Sequence, residues 1–139
     1  MKVEQSSSAF LANRKLIQAL ERRSHAVSCE EDCTLFRQGD APSGLYIIHR
    51  GKATLTMKAA TGEDLIQMKA GPGSLLGLPA IVGKQPYSLT AIALKGAEVR
   101  FVSRKDFEEI LSADPSLSIN VCQILAAEVQ SARQVLSRF

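Results

Sequence analysis

Two histidines, three cysteines and no run of about 18 apolar residues are the first things this 139-residue sequence lacks. His25 and His49 form no H-x-H pair and have no third partner, so a histidine metal site fails on ligand count and no metal or other cofactor is expected. Cys29, Cys33 and Cys122 are odd in number and form no dense framework, which points to reduced thiols and a cytoplasmic protein. The missing apolar run removes a membrane span, and polar Met1–Ser8 lack the apolar core of a signal peptide. A net charge of +3 is too small to argue for nucleic acid by itself. No Ser-His-Asp order, phosphate-binding glycine loop or pair of catalytic carboxylates stands out, so no enzyme activity is expected. Glu30-Glu31-Asp32 reads as a solvated strand edge. What remains is 45% hydrophobic, enough for a core, and the length suits one domain over residues 1–139.

Three zones follow one another. Over 8–23, Ala9, Ala12, Leu16, Ala19 and Leu20 recur at helical spacing behind Ser8 as a candidate cap. Over 27–103, short apolar runs alternate with Gly- and Pro-bearing turns such as Gln38-Gly39-Asp40, Arg50-Gly51 and Gly71-Pro72-Gly73. Many short strands at that spacing predict a sandwich, barrel or jelly roll. Gly39 and Gly51 sit where the chain reverses, and there a positive φ costs glycine little. Over 104–139, Ser103 caps a helix to Leu111, and Asp114-Pro115 opens a longer one.

That last helix carries two apolar series. Leu117, Val121 and Ile124 suit packing on the strands. Cys122, Leu125, Val129, Ala132, Leu136 and Phe139 are spaced three-four-three-four-three, an a/d seam that predicts a parallel homodimer. Packing within the chain is the alternative, but one face already serves the core.

The order helix, β body, long helix becomes specific in Thr34-Leu35-Phe36-Arg37-Gln38-Gly39-Asp40 and Leu45-Tyr46-Ile47-Ile48-His49-Arg50-Gly51. These resemble the F-x-x-G-D…Y-x-I-x-x-G opening of the cyclic-nucleotide-binding domain of the catabolite activator and FNR-like regulators. The resemblance continues through Gly73-Ser74-Leu75-Leu76-Gly77, Thr90-Ala91 and Val102-Ser103-Arg104-Lys105-Asp106-Phe107. It implies a mainly β, double-stranded β-helix (jelly-roll) fold, with an N-terminal helix and a long C-terminal dimerisation helix.

The resemblance also implies a phosphate cassette, G-E-(L/I)-(A/G)-(L/M) followed by R-(S/T)-A. Its Glu binds the ribose and its Arg forks onto the phosphate. Here it reads Gly77-Leu78-Pro79-Ala80-Ile81, then Tyr87-Ser88-Leu89-Thr90-Ala91. Leu78 replaces the Glu, and Leu89, or Ser88 in a shifted alignment, replaces the Arg. The adenine-contacting positions fall near Ala132 and Arg133, with Ser131 beside them as the only hydroxyl. Cys29-x-x-x-Cys33 also resembles part of the FNR iron–sulfur cluster, which needs four thiolates; structural cysteines are the expectation.

Several readings stay open. The pocket is filled by Leu78 and Leu89, or it is retuned for another ligand. A cyclic nucleotide could still be held by backbone N–H groups and Ser88, and the chain could be a purely structural oligomerisation module. The expectation is a regulatory sensor domain acting through a different small molecule or a protein partner. With no DNA-binding domain after the long helix, no sequence-specific DNA binding by this chain is expected.

Overall fold

Leu45, Tyr46, Ile47 and Ile48 form an unbroken apolar run, and a strand of that composition has to be covered on both faces. In the computed structural model, which describes residues 3–6 and 8–137, it is. The first elements are β1 (Val3–Ser6), α1 (Arg14–Glu21), β2 (His25–Ser28), β3 (Cys33–Phe36), β4 (Gly44–Arg50), β5 (Ala53–Lys58) and β6 (Asp64–Ala70). They are followed by β7 (Leu75–Leu76), α2 (Leu78–Gly83), β8 (Thr90–Ala93), β9 (Glu98–Ser103), α3 (Arg104–Ala113) and α4 (Ser118–Leu136).

Two sheets form the roll. One has the order β1-β6-β5-β8-β3 and the other β2-β9-β4-β7. All pairings are antiparallel except β1 on β6, where Val3 stands beside Ile66. Ile48 on β4 joins the core between the sheets with Phe36, Leu55, Ile66, Met68 and Tyr87. Leu45 and Ile47 point the other way, into a second core with Leu16 and Leu20 of α1, Phe107 and Ile110 of α3, and Val121 and Ile124 of α4. The four-stranded sheet is therefore apolar on both sides, and the helices cover its outer face.

Polar contacts fix the helices in place. The Asn13 carboxamide oxygen accepts from Leu16 N at 2.9 Å, and Asn13 N donates to Asn120 Oδ1 at 2.8 Å, joining the start of α1 to α4. The Ser103 hydroxyl accepts from Asp106 N at 3.1 Å and caps α3. Arg23, just past α1, pairs with Asp106 and Glu109 of α3.

The structure corrects several expectations. The first helix is shorter than 8–23, and Asn13 caps it rather than Ser8. The Phe10 carbonyl instead accepts from Leu75 N at 2.8 Å, so the preceding segment runs along the roll. Strand β1 was not expected from polar Val3–Ser6; its backbone pairing requires no apolar pattern. The roll begins at His25, and α2 lies inside the zone read as strands. Glu30-Glu31-Asp32 is a loop, tied by the Asp32 carboxylate accepting from Lys95 N at 2.8 Å. Asp114-Pro115 opens a 3-10 turn (Pro115–Leu117) that leads into α4. Gly39 and Gly51 carry the expected positive φ, +92° and +83°.

Gly44 begins β4 where no side chain fits. A Cβ there would meet the Val102 carbonyl oxygen and lie 2.6 Å from the Phe101 ring. Gly44→Ala is expected to lower unfolding stability by about 1–3 kcal/mol, the usual cost of overpacking. Urea denaturation checks this, and an unchanged midpoint would show that β4 and β9 separate freely.

Candidate functional site

The cassette segment between β7 and β8 is pinned by one aromatic side chain. Tyr87 is buried, stacks on Phe36 with ring centroids 4.0 Å apart, and donates its hydroxyl to the Gly44 carbonyl at 2.6 Å. The Tyr87 hydroxyl oxygen in turn accepts from Ser43 N and Gly44 N at 3.2 and 3.3 Å. Backbone bonds Tyr87 N to Asp40 O and Gly39 N to Tyr87 O complete the anchor.

That anchor sorts the cassette residues into two groups. Leu78 and Ile81 of α2 point into the second core, and Leu78 is wholly buried there. Leu78 therefore does not fill the pocket, because the helical turn of α2 directs it at the sheet's outer face. Gly77, Pro79, Ala80, Ser88 and Leu89 remain at the mouth of the roll. Thr90 and Ala91 serve the fold: the Thr90 hydroxyl accepts from Gln38 N at 2.9 Å, and Ala91 is fully buried between the sheets.

Helix α4 crosses this mouth. Leu117, Val121 and Ile124 are buried in the second core, as their spacing predicts. The next position on that stripe is Glu128. With Pro79, Ser88 and Leu89 it lines a cavity of about 190 Å3, completed by Phe10, Met57, Ile66, Met68, Val129, Ser131 and Ala132. A narrow inner extension reaches Phe36, Leu55, Leu76 and Tyr87. Ser131 and Ala132 thus belong to the cavity, whereas exposed Arg133 lines an open groove with Leu125, Ala126, Val129 and Gln130. Among the described residues no Lys, Arg or His lines the cavity.

Glu128 escaped the sequence reading. Its Oε2 is buried with no hydrogen-bond partner among the described residues. Burial pushes its carboxyl up from an ordinary 4.5 to about 8, because an apolar surrounding disfavours the charged form. The legible hint was its place four residues after Ile124, where a core position carries an acid.

On the other face of α4, Cys122 is exposed and Val129 is 53% exposed, while Leu125 leans into the second core. Phe139 and the side chain of Leu136 lie outside the described residues. Cys29 is buried beside half-buried Cys33; burial first, then the neighbouring thiol, pushes Cys29 up to about 11, which suits an inert structural thiol. Among the described residues no cluster of three or more His, Cys, Asp or Glu could hold a metal ion. No single helix among them is long and apolar enough to cross a membrane.

A two-sheet roll, a short cassette helix and a long helix across the mouth define a β-roll of the regulatory-domain type. Residues 26–114 match the model of the cyclic nucleotide-binding domain, and the chain belongs to that family. It is 26% identical over 98 residues to the cyclic AMP receptor protein of Thermus thermophilus, covering 70% of this chain and 45% of that protein. It is 29% identical over 94 residues to patatin-like phospholipase domain-containing protein 6 of Homo sapiens, covering 67% of this chain but 7% of that protein. The chain spans less than half the length of the curated relatives it matches. The catabolite activator protein of Thermus thermophilus shares the fold with a TM-score of 0.77 at 21% identity, over 90% of this chain and 59% of that one. CprK, solved with o-chlorophenolacetic acid, shares it with a TM-score of 0.74 at 15% identity, over 94% and 53%.

The raised Glu128 carboxyl has a consequence for stability. Between about 4.5 and 8 the unfolded chain ionises this group while the folded chain keeps it protonated. Stability is thus fully present below 4.5, falls as pH rises through 8, and then levels off. The expected fall between pH 5 and pH 8 is on the order of 2–4 kcal/mol. Glu128→Gln should flatten it and raise the melting temperature at pH 8. Parallel pH profiles of the two proteins would remove the carboxyl from this role.

Proposed function

We propose that this chain is a ligand-responsive regulatory module that does not take cyclic AMP or cyclic GMP in the family's usual way. In this reading it forms a parallel homodimer along α4 and relays the state of its pocket to a partner protein in the cytoplasm. One observation carries the reading. The pocket has Leu89 and Ser88 where a phosphate needs an arginine, and an unpaired carboxyl, Glu128, where it needs nothing negative. Losing one partner of a buried charge pair costs about 2–5 kcal/mol. Micromolar affinity corresponds to about 8.2 kcal/mol and millimolar to about 4.1, so the missing arginine alone moves a nucleotide most of that way. CprK supports the reading from the side, since a protein of this fold was solved with an organic acid that is not a nucleotide.

Titration calorimetry tests the pocket. Cyclic AMP and cyclic GMP are both expected to show dissociation constants above about 50 micromolar at pH 7, on the same scale. Tighter binding of either would mean that backbone N–H groups and Ser88 replace the arginine after all.

The dimer rests on α4. Leu125 and Ala132 of the expected seam turn to the second core and the cavity, so the apolar stripe left open on a single chain is instead Ile119, Cys122, Ala126 and Val129, with Ile119 and Val129 67% and 53% exposed. Sedimentation is expected to show a dimer, and Val129→Asp, which sets a charge in the stripe, should shift it to single chains. A dimer of unchanged strength in that variant would rule out this seam.

A further inference from the structure

Among the described residues, the cavity under α4 is apolar except at three points, and one of them is out of place. Ser88 and Ser131 offer hydroxyls; the Ser131 hydroxyl makes only a weak contact, 3.9 Å to Met68 Sδ. The third is the Glu128 carboxyl, brought inside by the same stripe that buries Leu117, Val121 and Ile124. An unpartnered buried acid is expensive, and the groups that compensate it best are cationic donors. The cavity's 190 Å3 is near the size that holds a single ring such as benzene. One carboxylate and two hydroxyls are too few oxygens for Ca2+ or Mg2+, and the apolar walls supply no others.

We propose that this cavity is a receptor site for a small apolar organic cation, a primary amine on one ring or a short hydrocarbon chain. Its ammonium group pairs with Glu128, and its body lies against Phe10, Met68 and Leu89. The proposal rests on the reading of the chain as a ligand-responsive module and names the ligand class for that site. It also reverses the charge preference of the pocket: the family resemblance implies an anion, and this lining favours a cation.

The proton balance is explicit. In the empty cavity at neutral pH Glu128 is mostly the neutral acid, since burial pushes it up to about 8. An entering ammonium favours the carboxylate. The O–H bond of Glu128 breaks, the proton leaves to solvent, and an N–H···O− pair forms with the ligand still protonated. Among the described residues, the only other titratable group of the lining is the Tyr87 phenol, whose hydroxyl is engaged by Ser43 and Gly44. Binding should therefore release one proton and tighten about tenfold between pH 6.5 and 7.5. An alkylamine, with a pKa of about 10, stays protonated over that range.

The test titrates the full chain by calorimetry with benzylamine and hexylamine, with benzyl alcohol as the neutral isostere and benzoate as the anion. Two buffers of different ionisation heat report the proton count. The expected result is amine binding at least tenfold tighter than benzyl alcohol at pH 7.5, with one proton released and benzoate silent. Glu128→Gln should erase the amine's advantage, and Leu89→Trp, which fills the cavity, should abolish binding of every probe. Equal affinity for benzylamine and benzyl alcohol with no proton released overturns the proposal in favour of a neutral-donor site. No binding of any probe also overturns it. Cyclic AMP titrated in the same series separates the two readings. Tight nucleotide binding defeats the function proposed above, whereas silent amines with a silent nucleotide defeat only this one.

Discussion

A β-sheet that is apolar on both faces cannot stand alone, and the rest of this molecule follows from that. Leu45 and Ile47 on one side of β4 and Ile48 on the other demand two separate cores. The inner core is supplied by the second sheet, which closes the roll. The outer one is supplied by α1, α3 and α4, whose apolar stripes have no other surface to bury. Fully burying a Leu, Ile or Phe is worth about 1.5–3 kcal/mol, so Leu16, Leu20, Phe107, Val121 and Ile124 together hold the helices firmly. The polar ties from Arg23 and Asn13 select which helix lies where. They are partly exposed and add little energy.

The pocket is a by-product of this arrangement. α4 is fixed by Val121 and Ile124, and its next turns then overhang the mouth of the roll. Tyr87 fixes the opposite lip by tying the cassette to the start of β4. The pocket therefore lies between two elements that are each anchored in different cores. On the reading proposed above, its chemistry departs from the family pattern at both lips at once. Leu78 packs in the outer core, and Glu128 lines the pocket from α4. Apolar walls amplify such a change of sign, because they screen a charge far less than water does.

How much of this was legible in the sequence varies with the kind of information each residue carries. Alternation and turn residues placed most of the strands, and the short motifs from Phe36 to Gly51 and from Gly73 to Gly77 carried the family fold. The stripe Leu117, Val121, Ile124 was read correctly as the packing face because its spacing has one physical meaning. Strand β1 was invisible, since pairing through the backbone leaves no mark on side chains. The ends of the first helix were missed because Ser8 and Asn13 are both good caps, and only the contact to Asn120 decides between them. Leu78 was misplaced for a related reason: alignment assigns it a position, but α2 decides which way it points. Glu128 leaves no mark in the apolar spacing, although an acid in register with Ile124 is the kind of local inconsistency that marks functional sites.

Three routes relieve a buried, unpaired carboxyl, and their magnitudes rank them. Protonation is available to the empty chain and explains a group pushed up to about 8. Swinging the end of α4 outward would let Glu128 ionise in water, a gain on the order of 2–4 kcal/mol at pH 8. That motion uncovers Phe10 and Met68, both nearly fully buried, and half-buried Leu89, at up to about 1.5–3 kcal/mol each. The closed helix is therefore preferred even at the pH where ionisation is strongest. The third route, a cation inside the cavity, provides the pairing without exposing those side chains, so it stabilises the closed position of α4 above that of the empty chain. Val129, next in sequence to Glu128, lines the cavity and is also half exposed on the outer face. On the proposed reading, the residue that responds to occupancy and the residue that meets a partner are thus neighbours on one helix, and a difference in closure of about 1–3 kcal/mol is the usual size of coupling between two sites.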